Sequence, residues 1–350
     1  MRRLLLSCVC VISSIAMPIG AYGQVSPPSQ IATLSETELP VEVRNAIAGA
    51  PLTTEILSVR GVERVTGNIL KVDELVIQRG GVIEFVGFDH PWVAVMAKRV
   101  RIVDPTVMST IRREPGVPNG IMGANGDSGG TGSPDGGRSG RHGNDGGRGG
   151  NGTNGGNGTT VNVPQVYIIV GSVEAASNTA PIGRAELTFD FAGVPGGDGG
   201  NGGSGGRGGN GGNGQASSSG AFDCRRGPGD GGDAGNGGNG GNGGDGARGG
   251  NGGSIVFISS SQGVDVLSAA VISNEGARPG KGGAAGGGGS AGSAGDHGSR
   301  RGHCTGGGSD GYSGNPGNAG APGSPSNISG ERGRVEAIIV PDPTTLWGGG

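Results

Sequence analysis

The chain has 350 residues, 86 of them glycine, and a formal net charge of −3. That balance excludes a global electrostatic attraction to nucleic acid. Beyond its first residues, no stretch is long and apolar enough to cross a bilayer.

Met1-Arg2-Arg3, an apolar run over residues 4–15, then Pro18, Gly20 and Ala21-Tyr22-Gly23 predict a secretory signal over 1–23, cleaved before Gln24. The run is too short for a membrane span. A lipoprotein reading at Cys8 fails because Cys8 precedes most of the apolar run. The expected product is an exported, soluble chain with 24 basic and 29 acidic residues.

Residues 24–61 read as a leader that opens with Ser26-Pro27-Pro28-Ser29 and carries one short helix over 40–48. Pro40 fits its first turn, Gly49 its stop, and Pro51 lies beyond. Residues 62–350 read as a β base, over 62–111, 159–195, 253–279 and 328–342, interleaved with glycine-rich hairpins at 116–158, 196–252 and 280–327. Short, β-branched strands are expected at 68–72, 74–77, 81–86, 92–96 and 99–103, and again at 166–170, 185–191, 254–258, 264–267, 270–273 and 335–340. Their spacing fits a β-solenoid, a compact barrel or a sandwich, and their shortness favours the solenoid.

Six glycine runs separate these strands. Gly120–Gly132, Gly137–Gly158, Gly196–Gly214, Gly229–Gly244, Gly280–Gly298 and Gly308–Gly323 place glycine at every third position, and a second register covers Gly237–Gly252. A period of three belongs neither to the α-helix nor to the strand, but to left-handed helices of the polyproline-II type. Glycine at every third position leaves one face without Cβ atoms, so that another backbone can come close. Collagen would add abundant proline, whereas the commonest third residue in the central runs is asparagine. The runs also pair across turns, the first through Pro134, Asp135 and Gly136. Three antiparallel hairpins follow. At about 3.1 Å per residue, an arm of 19 to 22 residues reaches roughly 60–70 Å. Double-glycine triplets over 196–252 place hairpin 2 inside the assembly and hairpin 3 outside it.

Over these runs alone the chain resembles the polyglycine-II bundle proteins: the snow flea antifreeze proteins, the adhesin tips of certain phage tail fibres and the glycine-rich domain of Obg-type GTPases. It is also similar to the glycine-rich, collagen-like secreted proteins of bacteria. The resemblance implies a bundle of six packed polyglycine-II helices. It implies no activity, because function resides in sites and not in folds.

Signal removal takes Cys8 and Cys10 and leaves Cys224 and Cys304, which an oxidising compartment pairs. Both occupy hairpin tips, so the bridge would join hairpin 2 to hairpin 3. It would also gather Arg225, Arg226, Arg300, Arg301 and His303 beside Phe222. Guanidinium forks suit carboxylate, sulfate and phosphate, making these six residues the candidate binding set.

No residue is a defensible catalytic nucleophile, and no nucleotide loop or esterase elbow occurs. Asp296, His297, His303 and Cys304 have the composition of a zinc site, which disulfide formation by Cys304 would remove. Asp198, Asp233 and Asp245 lack the apolar residue of calcium-binding nonapeptide arrays. No metal or cofactor is expected. The sequence reads as a non-enzymatic, monomeric structural or adhesive protein, secreted or at the cell surface. Its expected partner is an extracellular or envelope polysaccharide or another surface component. The alternatives are a polysaccharide-active solenoid enzyme, for which Glu84, Lys98 and Arg101 are sparse support, and an ice-binding protein.

Overall fold

The computed structural model describes residues 32–34, 39–87, 90–103, 107–114, 142–143, 145–175 and 187–347. The expected signal, the segment 26–29 and the first arm of hairpin 1 with its turn lie outside the described residues. The fold is mainly β. Its strands are β1 (Ala32–Leu34), β2 (Thr54–Val59), β3 (Val62–Val65), β4 (Ile69–Ile77), β5 (Val82–Phe85), β6 (Trp92–Ile102), β7 (Ser109–Arg113), β8 (Gln165–Ala175), β9 (Leu187–Asp190), β10 (Ser218–Ser219), β11 (Cys224–Arg226), β12 (Ile255–Ser259), β13 (Val271–Ser273) and β14 (Val335–Ile339). Helices α1 (Val41–Gly49) and α2 (Ser261–Ser268) and a 3-10 helix (Pro343–Trp347) complete the elements.

The larger sheet runs β1-β14-β12-β8-β6-β4-β2 and the smaller β13-β9-β7-β5-β3. All pairings within these two sheets are parallel. From β2 onward the chain alternates between them, so each turn lays one strand on each sheet beside its predecessor. Neither sheet closes into a barrel among the described residues, which removes that alternative.

Strands of a doubly covered parallel sheet become continuous apolar runs, and β12 is buried along its whole length. Its Ile255 and Phe257 point between the sheets, where they join Leu75, Ile83, Ile102 and Phe189. Its Val256 and Ile258 point outward, under Val43 and Ile47 of α1 and Leu346 and Trp347 of the 3-10 helix. Trp347 thus caps the β core as part of a second apolar layer. Lys71, only 5% exposed, ties that layer down. Its ammonium donates to the carbonyls of Ile47, Ala50 and Trp347 at 3.3, 2.9 and 3.0 Å.

The structure departs from the sequence reading at several places, among them β3 and β7, which fall where no strand was expected. Strands expected at 68–72 and 74–77 are one strand, β4, and those expected at 92–96 and 99–103 are one strand, β6. Asp73 and Lys98, which fell in the gaps between the expected strands, are cross-strand partners, and the neighbouring Glu74 and Arg99 pair in the same way. The strand expected at 264–267 is α2, because Ser260 caps its N-terminus by accepting the Gly263 N–H. Its two buried apolar side chains, Val264 and Leu267, are three apart, a helical spacing. Finally, β1 and β2 fall inside the segment read as a leader.

All three hairpins leave the smaller sheet and return to the larger one, between β7 and β8, β9 and β12, and β13 and β14. Adjacent strands of a sheet lie about 4.7–4.9 Å apart, so hairpins inserted at successive turns start as immediate neighbours. The described arms are neither α-helix nor strand, and with a period of three they hand backbone N–H groups to neighbouring arms, one per triplet in hairpin 1 and two in hairpin 2. In the return arm of hairpin 1, Gly143, Gly146 and Gly149 donate to Asp230, Asp233 and Asn236 of the hairpin 2 return arm, a parallel register. Gly199, Gly202 and Gly205 of the hairpin 2 outgoing arm donate in parallel to Lys281, Ala284 and Gly287 of hairpin 3. Within hairpin 2 the register is antiparallel, Gly235 to Gly209 and Gly238 to Gly206. The described arms therefore form two rows, outgoing and return, with hairpin 2 between its neighbours as its double glycines predicted. A Cβ at Gly202 would lie 2.1 Å from the Gly241 carbonyl oxygen, and one at Gly241 would lie 1.9 Å from that of Thr153. Such approaches are why these faces carry no side chains.

Candidate functional site

The far end of hairpin 2 is a small antiparallel ribbon in which β10 pairs with β11. Cys224 of β11 is bonded to Cys304 at the tip of hairpin 3, with sulfurs 2.02 Å apart and Cα atoms 4.8 Å apart. Cys304 is buried and Cys224 exposed, and the Cys304 sulfur lies against the Ser218 and Arg226 carbonyls of the hairpin 2 ribbon. Ser217 reinforces the bridge. Its Oγ accepts the Arg301 N–H at 2.6 Å and donates to the Arg301 carbonyl at 3.4 Å. The chain then turns at Gly302, whose φ of +56° favours glycine, and whose missing Cβ leaves room for the Ser219 hydroxyl. The turn closes with the Cys304 N–H donating to the Arg301 carbonyl.

This arrangement brings together the candidates at 222, 225, 226, 300, 301 and 303. Phe222 is 93% exposed. Arg225, Arg226, Arg300, Arg301 and His303 are all exposed. Among the described residues, none of the four guanidinium groups pairs with a carboxylate. His303 is held to the tip by a contact of 3.2 Å between Nε2 and the Ala221 carbonyl oxygen. The result is a cationic end carrying one exposed aromatic ring, with the backbone of both tips fixed by the disulfide.

The zinc-like set at 296–304 is dispersed. Cys304 is a disulfide sulfur, His303 turns to Ala221, and His297 pairs through Nδ1 with Asp310, whose Oδ1 also accepts the His297 N–H at 2.8 Å. Among the described residues no group of three or more His, Cys, Asp or Glu side chains is placed to hold a metal ion. Below the tips, Asp230 Oδ1 accepts the Ser309 N–H at 2.7 Å, and its Oδ2 lies 2.9 Å from His142 Nδ1. The Ser309 hydroxyl donates to this carboxylate and not to the imidazole, so the trio is not a nucleophile–base relay. The Ser309 N–H foremost holds the Asp230 carboxyl below the usual carboxylate range, and the His297 N–H does the same for Asp310. These pairs were missed from sequence, because His142 and Asp230 are 88 positions apart and only the arm register joins them.

The acid and base residues weighed for an enzyme are engaged in the base. Arg64, Glu84, Arg112 and Asp190 occupy matching positions on β3, β5, β7 and β9. Buried Glu84 lies 3.2 Å from Arg64 and 2.8 Å from Arg112. This is a ladder of alternating charge, the stabilising cross-strand pattern. Lys98 faces Asp73, and Arg101 faces Glu74 at 3.6 Å. No protein-family model, curated protein or solved structure matches the chain.

Proposed function

We propose that the protein is an exported, non-enzymatic structural or adhesive protein that binds anionic polysaccharide through its joined hairpin tips. In this reading the two parallel sheets are the faces of a β-solenoid, and the arms are polyglycine-II helices packed as a six-membered bundle. The three-residue period of the N–H donors, each passing to a neighbouring arm, supports the helix assignment. The solenoid anchors the bundle, and the bundle holds the tips away from the base. Export is supported by the signal-like first 23 residues and by the disulfide. The protein acts as a monomer, with no cofactor.

The observation that carries the reading is the covalent joining of two tips whose four arginines have no carboxylate partner among the described residues. Unpaired, forked cations beside an exposed ring match sulfate or carboxylate groups on a sugar chain, the ring stacking on a sugar face and the forks taking the anions. The test compares the native protein with a variant carrying Arg225→Ser, Arg226→Ser, Arg300→Ser and Arg301→Ser on an array of sulfated, carboxylated and neutral glycans. Salt-sensitive binding to the anionic glycans is expected of the native protein and not of the variant, with an unchanged melting temperature, because exposed charges add little stability. Equal retention of the two proteins by anionic glycans, or no retention of the native one, would overturn the reading.

A further inference from the structure

Within a row, the backbone hydrogen bonds of the described arms run in one direction, from hairpin 1 to hairpin 2 to hairpin 3. In the return row, Gly237, Gly240, Gly243 and Gly246 of hairpin 2 donate to the carbonyls of Asn315, Asn318, Ala321 and Ser324 of hairpin 3. In exchange the N–H groups of those four residues donate to side-chain Oδ1 atoms of Asn236, Asn239, Asn242 and Asp245. That register aligns the donating positions 237, 240, 243 and 246 with 316, 319, 322 and 325 of hairpin 3, a constant offset of 79. Three of those four positions are proline, Pro316, Pro322 and Pro325, and all three are exposed. Proline keeps the extended backbone but has no N–H. Three of the donors through which each return arm holds the next are therefore deleted on the last arm, while Asp310, Ser313 and Ala319 keep theirs.

The side-chain acceptors are lost in part at the same layer, at Lys281 and Ala284 in the outgoing row, while Ser293, Asp296, Asn315 and Asn318 keep one. Asp198, Asn201, Asn210 and Asn213 on the outgoing arm of hairpin 2 cap N–H groups of hairpin 3. The matching positions of hairpin 3 hold Lys281, Ala284, Ser293 and Asp296. In the base, β1 lies against β14 as one further parallel strand and covers the edge of the larger sheet at this same end. At the opposite end of the return row, the carbonyls of Asn151, Asn154 and Asn157 in hairpin 1 accept no backbone bond from any described residue. A second copy would meet these carbonyls by continuing the row.

We propose that Pro316, Pro322 and Pro325 terminate the bundle and prevent copies of the chain from joining edge to edge, hairpin 3 of one to hairpin 1 of the next. Prolines on exposed sheet edges act in the same way. This inference rests on the arm register and is independent of what the tips bind.

The test restores the donors with Pro316→Ala, Pro322→Ala and Pro325→Ala together, since Ala319 shows that a methyl group is accommodated on this face. Sedimentation velocity over a range of concentrations is expected to find the native protein monomeric. The triple variant, with its disulfide and circular dichroism unchanged, should self-associate roughly 100-fold more tightly, the effect of three ordinary hydrogen bonds. Adding Ala319→Pro to it should weaken that association. If the triple variant does not fold, Pro322→Ala with Pro325→Ala should give a shift of roughly 30-fold. A folded variant as monomeric as the native protein, or a native protein that associates as strongly as the variant, would overturn the proposal.

Discussion

Asn242 and the adjacent Gly243 make two hydrogen bonds with Ala321 across neighbouring arms. The Asn242 Oδ1 accepts the Ala321 N–H at 2.8 Å, and the adjacent Gly243 N–H donates to the Ala321 carbonyl at 2.9 Å. The same pair of bonds joins Asn239 to Asn318 and Asn236 to Asn315. Each asparagine thus replaces the acceptor that a further backbone would supply, which is the physical reason asparagine dominates the third position wherever another arm follows.

Asn242→Ala should therefore leave the Ala321 N–H to solvent and cost about 0.5–1.5 kcal/mol, the net worth of one hydrogen bond. Amide exchange at Ala321 is expected to quicken while exchange at Asn315, two triplets away, is unchanged. Asn318→Ala is the control, because its side chain bonds no further arm. Equal losses of stability from the two variants would contradict the capping role.

Glycine spacing makes a harsher demand. A Cβ at Gly202 would lie 2.1 Å from a carbonyl oxygen held in the next arm, whereas Ser290 is exposed. Gly202→Val should destabilise by about 3 kcal/mol or more, at the upper end of overpacking costs, and Ser290→Val by less than about 0.5 kcal/mol. Chemical denaturation of the two variants reads the difference.

The sequence made the period of three legible because glycine carries its own steric reason at each position. It did not make the partners legible. Whether Asp230 faces His142 or solvent depends on how two arms align across 88 positions, and that alignment is set by β8 and β12 lying in register in the base. The tip set was readable because Arg225, Arg226, Arg300 and Arg301 sit within four residues of Cys224 or Cys304, the two cysteines of the glycine-rich segments. By contrast Val264 and Leu267 looked like strand residues, because β-branching outweighed the Ser260 cap and the spacing of three.

Joining Cys224 to Cys304 closes a loop of 80 residues, worth about 4–5 kcal/mol in the chain-entropy model. Glycine-rich arms gain much from such a constraint because they lose the most backbone entropy on ordering. Cys224→Ser with Cys304→Ser should lower the melting temperature and weaken anionic glycan binding, since the two arginine pairs are no longer held together. Peptide mapping of the protein recovered from the periplasm or medium should find Cys224 and Cys304 as one linked pair. Free thiols there would remove both expectations.

Acid should loosen the bundle first just below the tips. Asp230 and Asp310 are held below the ordinary carboxylate value of 3.8 by N–H groups that bond only the ionised form well. With the folded values depressed, the unfolded chain takes up the protons first as pH falls. The stabilisation is therefore complete above the unfolded value of about 3.9 and disappears as pH drops through the lower folded values. Both carboxylates are exposed, so the effect is local. Amide exchange at Ser309 and His297 is expected to accelerate only below about pH 4, while Asn318 and Ala321, whose acceptors are asparagine amides that do not titrate, stay protected over the same range. Asp230→Asn keeps an Oδ1 acceptor and removes the titration, so it should abolish the acid response at Ser309 and leave that at His297. Parallel acid responses at Ser309 in the native protein and the variant would show that the carboxylate is not the responsible group.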